Sequence, residues 1–143
     1  MEIRQITPDF AVGPQIEPAD MAKLAAAGFV AVINNRPDAE VPPDLQSAAM
    51  QAAAEAAGLS YTANQVINGG LSMAMVQNQG AAVSQASGPV FAWCRSGTRS
   101  SMVWALAHAG KIPTDEIIAA LDGAGYQIPG LDQQIEALAA SAD

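Results

Sequence analysis

The sequence predicts an α/β protein with a mainly parallel central sheet and helices on both faces, and three observations carry that expectation. Short continuous apolar runs, "FVAVI" at residues 29–33 and "PVFAW" at 89–93, have the character of strands buried on both sides. They alternate with longer alanine-rich segments that carry helix start and stop signals, as βαβ units do. The chain has 143 residues, half of them hydrophobic and 14% charged, which suits one domain with a sizeable core and no disordered bias. Residues 1–143 are therefore read as a single domain.

Each element has its own justification. Residues 10–16, "FAVGPQI", form a first strand or an extended lead-in. "PADMAKLAAAG" has Pro18 near its start and Gly28 at its end, the asymmetry of a helix. After the 29–33 strand, Pro37, Pro42 and Pro43 make "NNRPDAEVPPD" a loop without regular structure. Residues 44–58 read as a helix closed by Gly58, and residues 59–67, "LSYTANQVI", as a strand followed by a turn at Asn68–Gly70. Ser72 is the expected cap of the next helix, which Gly80 weakens. The strand at 88–94 leads into a helix over 99–110 that is apolar nearly all round and so belongs in the centre. Thr114, Asp115 and Glu116 open another helix with acids at its positive end, and "LDQQIEALAA" ends the chain as a last one.

Six Lys and Arg against fourteen Asp and Glu leave a net charge of −8. A field of that sign repels nucleic acid and anionic membranes, so neither is an expected partner. An anionic substrate would need a local cationic pocket. No basic segment followed by an apolar run opens the chain, and no apolar stretch reaches the length of a membrane span. One cysteine, Cys94, forms no internal disulfide, which fits a cytoplasmic location. With Cys94 and His108 as the only sulfur and imidazole ligands, no metal site is expected, and no organic cofactor is implied.

The informative stretch is "CRSGTRS" at residues 94–100, a polar loop between a buried strand and a buried helix. A tight turn into a helix N-terminus points backbone N–H groups inward and makes an anion cradle, here drawn from Arg95, Ser96, Gly97 and Thr98. Gly97 permits the sharp turn, and Arg99 can hold two oxygens of a tetrahedral oxyanion with its planar fork. In that positive setting Cys94 is expected as a thiolate nucleophile, with Ser100 donating a hydrogen bond to the sulfur. The loop therefore looks built to hold an anion against a reactive sulfur. Group transfer from a phosphate ester, sulfur transfer through a persulfide, and mere oxyanion binding all remain open on these residues.

The local pattern resembles the loop of protein tyrosine and dual-specificity phosphatases, in which five residues separate the cysteine from the arginine. Here four residues separate Cys94 from Arg99, a spacing similar to that of rhodanese-type sulfurtransferases. From about Ile6 to Tyr126, "ITPDFAVGPQIEPADMAKLAAAGFVAVINNRPDAE", "AAAEAAGLSYTANQV" and "WCRSGTRSSMVWAL" resemble the bacterial β-lactamase-hydrolase-like, phosphatase-like family. "VINNRPD" and "CRSGTRS" are the most specific pieces. The resemblance implies a dual-specificity-phosphatase-like α/β fold, Cys94 as nucleophile, Arg99 as oxyanion ligand and phosphomonoesters as substrates. Some relatives are fused to metallo-β-lactamase-like domains associated with sulfide metabolism, which links this chain to sulfur only by analogy.

A phosphatase also needs a group to protonate the leaving oxygen. The loop after the residue 59–67 strand offers Asn68 but no carboxylate, so Asp38 in "NNRPDAE" is the candidate acid, with Arg36 adding positive charge to the same mouth. His108 lies nine residues beyond Arg99, roughly 13 Å along a helix axis, too far to serve Cys94 as a base.

Overall fold

The apolar runs and alanine-rich segments fold in alternation: β1 (Arg4–Thr7), β2 (Phe10–Gly13), α1 (Asp20–Ala26), β3 (Ala31–Asn34), α2 (Ser47–Ala56), β4 (Ser60–Ala63), α3 (Met73–Gln85), β5 (Val90–Trp93), α4 (Thr98–Ala107), α5 (Thr114–Gly123) and α6 (Leu131–Ser141). This is a computed structural model, and it describes residues 1–141. The strands form one sheet in the order β1-β2-β5-β3-β4. All neighbours pair in parallel except β1 and β2, which run antiparallel at one edge.

Register places the chemistry. Gly13 of β2 and Asn34 of β3 both pair with Trp93 of β5, so these three strands end level with one another. Cys94 follows Trp93 and therefore leaves the sheet at its carboxyl edge, in the centre, where ligands bind in such sheets. The Asn35 amide donates to the Trp93 carbonyl (2.8 Å), which extends the pairing one residue to the lip of the loop.

Alternate strand residues feed two cores. On one face Ala11, Val32, Phe91 and Trp93 pack against Met21 and Leu24 of α1 and Met50 and Ala54 of α2. On the other, Val12, Ile33 and Ala92 meet Trp104 of α4, Ile117 of α5 and Ile135 of α6. Phe10 stacks on Trp104, with ring centroids 6.0 Å apart. The helix expected to lie centrally does so: Val103, Trp104, Ala105 and Leu106 of α4 are all buried.

Three local differences from the sequence reading have physical causes. Strand β1 was not foreseen: four residues with three polar side chains, "RQIT", give little apolar signal, and the strand exists by pairing with β2. Strand β4 stops at Ala63 rather than Ile67, level with the end of its partner β3 at Asn34, although the Asn64 and Val66 amides still reach the carbonyls of Asn34 and Asn35. The proline-rich loop holds two single 3-10 turns, Asp38–Glu40 and Pro43–Leu45. Each turn starts beside or on a proline, whose missing N–H is not needed there. Ser72 caps α3 as expected, accepting from the Met75 amide. No helix among the described residues is long and apolar enough to cross a membrane.

Candidate active site

The loop between β5 and α4 is held from outside. The Gln15 amide donates to the Arg95 carbonyl (3.3 Å), and the Tyr126 hydroxyl donates to the Ser96 carbonyl (2.9 Å). In a planar trans peptide the N–H points opposite its C=O. Pinning both carbonyls outward therefore turns the Ser96 and Gly97 amides inward. The Gly97 amide meets the Cys94 sulfur at 3.0 Å, and the cysteine is fully buried on the loop's floor. The side chains of Arg95 and Ser96 stand at the exposed rim, where the Ser96 hydroxyl donates to that of Thr98.

Gly97 caps α4 at φ +96°, a left-handed conformation that favours glycine. A Cβ built there would lie 2.0 Å from the Tyr126 hydroxyl oxygen and 2.8 Å from its ring carbon Cζ. Gly97→Ala combines that overlap with backbone strain of about 1–3 kcal/mol. We expect a lower Tm together with loss of anion binding, measurable by thermal denaturation with and without inorganic phosphate.

Arg99, in the first turn of α4, is 92% buried by residue area, its exposed fraction being 8%. Its end is fully engaged: Nη1 donates to Glu40 Oε2 (2.9 Å) and to the Val66 carbonyl (2.6 Å), and Nη2 to Glu40 Oε1 (2.8 Å). The guanidinium pKa is raised chiefly by the hydrogen bond to Glu40, with burial opposing and the nearby Cys94 assisting. The Glu40 carboxyl is held below its ordinary value, first by the Arg99 hydrogen bonds and further by the charges of Arg99 and Arg36, against the effect of burial. Glu40 is thus ionised at neutral pH and serves as an anchor, not as a proton donor. The bidentate pair leaves the Nε edge of the guanidinium without a hydrogen-bond partner among the described residues, and Cys94 lies near enough to help raise the arginine's pKa.

Arg36 approaches the same carboxylate at 3.3 Å and donates to Gln15 Oε1 (3.2 Å). Three of the chain's six cationic side chains, Arg36, Arg95 and Arg99, therefore belong to this loop or to the carboxylate beside it. Asp38 has partners of its own: its Oδ1 accepts from the Ser47 amide at the start of α2 (2.7 Å), and its own amide donates to Gln65. Glu40, two residues on, is the carboxylate that reaches Arg99, and the sequence reading missed it. The acidic residue was visible in "NNRPDAE", but only the 3-10 turn at Asp38–Glu40 shows which of the two faces the site.

Behind the loop lies a network of buried amides. Gln79 of α3 accepts from Asn35 (2.8 Å) and Asn64 (3.3 Å) and donates to the Ser100 carbonyl (3.3 Å). It ties the carboxyl ends of β3 and β4 to the start of α4. The Ser100 hydroxyl is fully buried with no hydrogen-bond partner among the described residues. A buried hydroxyl left free in this way is costly unless it has a use. Asn68 is exposed on a loop whose neighbours Val66, Ile67 and Leu71 line, with Arg99 and Met102, a small pocket of about 80 Å³. His108 caps the far end of α4, its Nδ1 2.8 Å from the Trp104 carbonyl.

The strand running into Cys94, the loop with inward amides and the helix opened by an anchored arginine lie in a chain of the phosphatase-like class of α/β proteins. The chain belongs to the family described as beta-lactamase hydrolase-like protein, phosphatase-like domain, whose model matches residues 2–111. It is 33% identical over 130 residues to a beta-lactamase hydrolase-like protein of Xylella fastidiosa, covering 90% of this chain and 30% of that protein. A protein of the same description from Agrobacterium fabrum is 36% identical over 101 residues, covering 69% of this chain and 23% of its own length. The chain thus spans under a third of the length of these relatives. Among solved structures, a Neisseria meningitidis protein provisionally named a phosphatase superposes with a TM-score of 0.80 at 28% identity, over 96% of this chain and 99% of that one. The active form of Tk-PTP shares the fold with a TM-score of 0.76 at 13% identity, over 99% and 97% of the two chains.

Proposed function

We propose that the chain is a cysteine-dependent phosphomonoesterase. The observation that carries this reading is the loop itself: Cys94 sits on the floor of a turn whose carbonyls are pinned outward, with Arg99 anchored alongside. Family membership and the likeness to the Neisseria protein support it. Inward amides and Arg99 bind the equatorial oxygens of a phosphate ester and stabilise them as charge develops in the transition state. The Cys94 sulfur attacks phosphorus, the P–O bond to the leaving group breaks, and a thiophosphoryl cysteine forms. Water then attacks phosphorus, the S–P bond breaks, and inorganic phosphate leaves with the cysteine restored. Ser100, with its free buried hydroxyl, is assigned to donate to the departing sulfur.

Protonation of the leaving oxygen is the weak step. Asp38 has one carboxyl oxygen held by the Ser47 amide, and the loop bearing Asn68 carries no carboxylate. Substrates with good leaving groups are therefore the expected ones. Hydrolysis of p-nitrophenyl phosphate, compared between wild type and Cys94→Ser, tests the reading. Turnover by the wild type that vanishes in the variant is expected; no turnover by the wild type overturns it.

The four-residue spacing between Cys94 and Arg99 favours a second reading, sulfur transfer. The Cys94 thiolate would attack the outer sulfur of thiosulfate, the S–S bond would break with sulfite leaving, and a persulfide would pass to a thiol acceptor. Sulfite release from thiosulfate without phosphate ester hydrolysis selects that chemistry, and phosphate binding without either reaction selects an oxyanion-binding module.

A further inference from the structure

Two hydrogen bonds around Cys94 belong to a single peptide group. The carbonyl of Ser96 accepts from the Tyr126 hydroxyl at 2.9 Å, and the N–H on the other side of the same peptide, that of Gly97, donates to the Cys94 sulfur at 3.0 Å. A peptide ahead of a glycine is the kind that rotates readily, because glycine accepts either sign of φ. The orientation seen here needs an external hold, and Tyr126 supplies it.

We propose that Tyr126 is a positioning residue for Cys94: its hydroxyl locks the Ser96–Gly97 peptide in the orientation that directs an N–H at the sulfur. The proposal rests on the reading of Cys94 as the reactive group of the site.

Tyr126 is well fixed for this task. Its amide donates to the Leu121 carbonyl (2.9 Å), so the residue closes the turn that ends α5. Arg4 of β1 lies over its ring, 5.2 Å from the centroid, and donates to the Ala124 carbonyl (3.1 Å). Gly97 packs so closely on the hydroxyl that no side chain fits between them. Burial raises the phenol pKa, Arg4 opposes this, and Cys94 and Glu2 add to it, so the hydroxyl remains a donor throughout the neutral range. Arg99 from α4 and Tyr126 from the turn after α5 both have titrations that feel Cys94, and Arg95 follows the cysteine directly at the exposed rim. Glu40 and Arg36 act through Arg99, and Arg4 and Glu2 through Tyr126. Removing one hydroxyl leaves each of these other side chains in place and takes away only the influence of Tyr126 on Arg4.

The chain's single cysteine makes the test direct. Thiolate absorbance at 240 nm is titrated against pH for wild type, Tyr126→Phe and Tyr61→Phe, each read as the difference from its Cys94→Ser counterpart. Tyr61 is the control: its hydroxyl also makes side-chain hydrogen bonds, to Asn34 and Ser47, but none to the loop residues 94–98. Loss of one hydrogen bond to a charged acceptor should raise the thiolate midpoint of Tyr126→Phe by about one pH unit, roughly a tenfold smaller thiolate fraction below both midpoints. Tyr61→Phe should leave the midpoint in place even if it lowers Tm. Coincident midpoints for Tyr126→Phe and wild type, or an equal rise in Tyr61→Phe, overturn the proposal. The readout needs no turnover. A shifted midpoint in a protein inert toward p-nitrophenyl phosphate keeps the positioning role and removes the phosphatase; intact hydrolysis with an unmoved midpoint does the reverse.

Discussion

Arg99→Lys is expected to lower kcat/KM for p-nitrophenyl phosphate by about 10²–10³-fold, the usual cost of losing one preorganised donor to a developing oxyanion. Charge is conserved in this variant, so the loss reports geometry. The guanidinium is planar, and its two edges do different things here. One end grips Glu40 through both Nη atoms and the Val66 carbonyl, while under the proposed function the other edge binds the anion. A lysine ammonium is a point charge on a flexible stem and cannot hold the anchor and offer a fixed fork at once. Steady-state kinetics of the purified variant check this, with Tm measured alongside to separate lost catalysis from lost fold. A fall of only a few-fold would remove Arg99 from the role of oxyanion ligand.

Glu40→Gln should cost less, about 10-fold to 10²-fold in kcat/KM, because Arg99 keeps its charge and its bond to Val66 but loses a bidentate partner and drifts. The same variant carries a pH signature. The folded state favours the ionised Glu40, whose carboxyl lies below its ordinary value of 4.5 because of Arg99 and Arg36. Its contribution to stability is therefore fully present above the unfolded value and disappears as pH falls through the lower folded one. Wild type should be more stable than Glu40→Gln near neutrality, and the difference in Tm should shrink as pH is taken below about 4.5. A constant difference across the acid range would mean that the carboxylate charge is not what holds Arg99.

The parts of the molecule legible in its residues were those with strong local signals. Strand β5, the Gly97 turn and the apolar helix α4 announce themselves, because a buried strand and a buried helix interrupted by "CRSGTRS" have few other structures open to them. Helix α3 was legible through its Ser72 cap. What could not be read depended on contacts across long sequence distances. Glu40 and Arg99 are separated by 59 positions, and Gln79 and Asn35 by 44. Tyr126 reaches the loop from 30 positions away, after two helices and a turn. Nothing in the local pattern around a tyrosine states that its hydroxyl ends on a particular carbonyl. Asp38 illustrates the reverse: its chemistry made it a candidate acid, but a carboxylate beside a free helix N-terminus has a competing partner, and the Ser47 amide holds it in this structure.

The clustering of Arg36, Arg95 and Arg99 around the Cys94 loop in a chain of net charge −8 bears on how an anionic substrate of the proposed kind would arrive. A phosphate dianion far from the protein meets a like-charged body and is repelled, and it feels the arginines only at close range. Dissolved salt screens interactions beyond a Debye length of about 8 Å at physiological ionic strength. It therefore weakens the distant repulsion before it weakens the contact attraction. For this molecule, unlike a protein whose whole surface funnels its ligand inward, moderate salt would hasten the encounter.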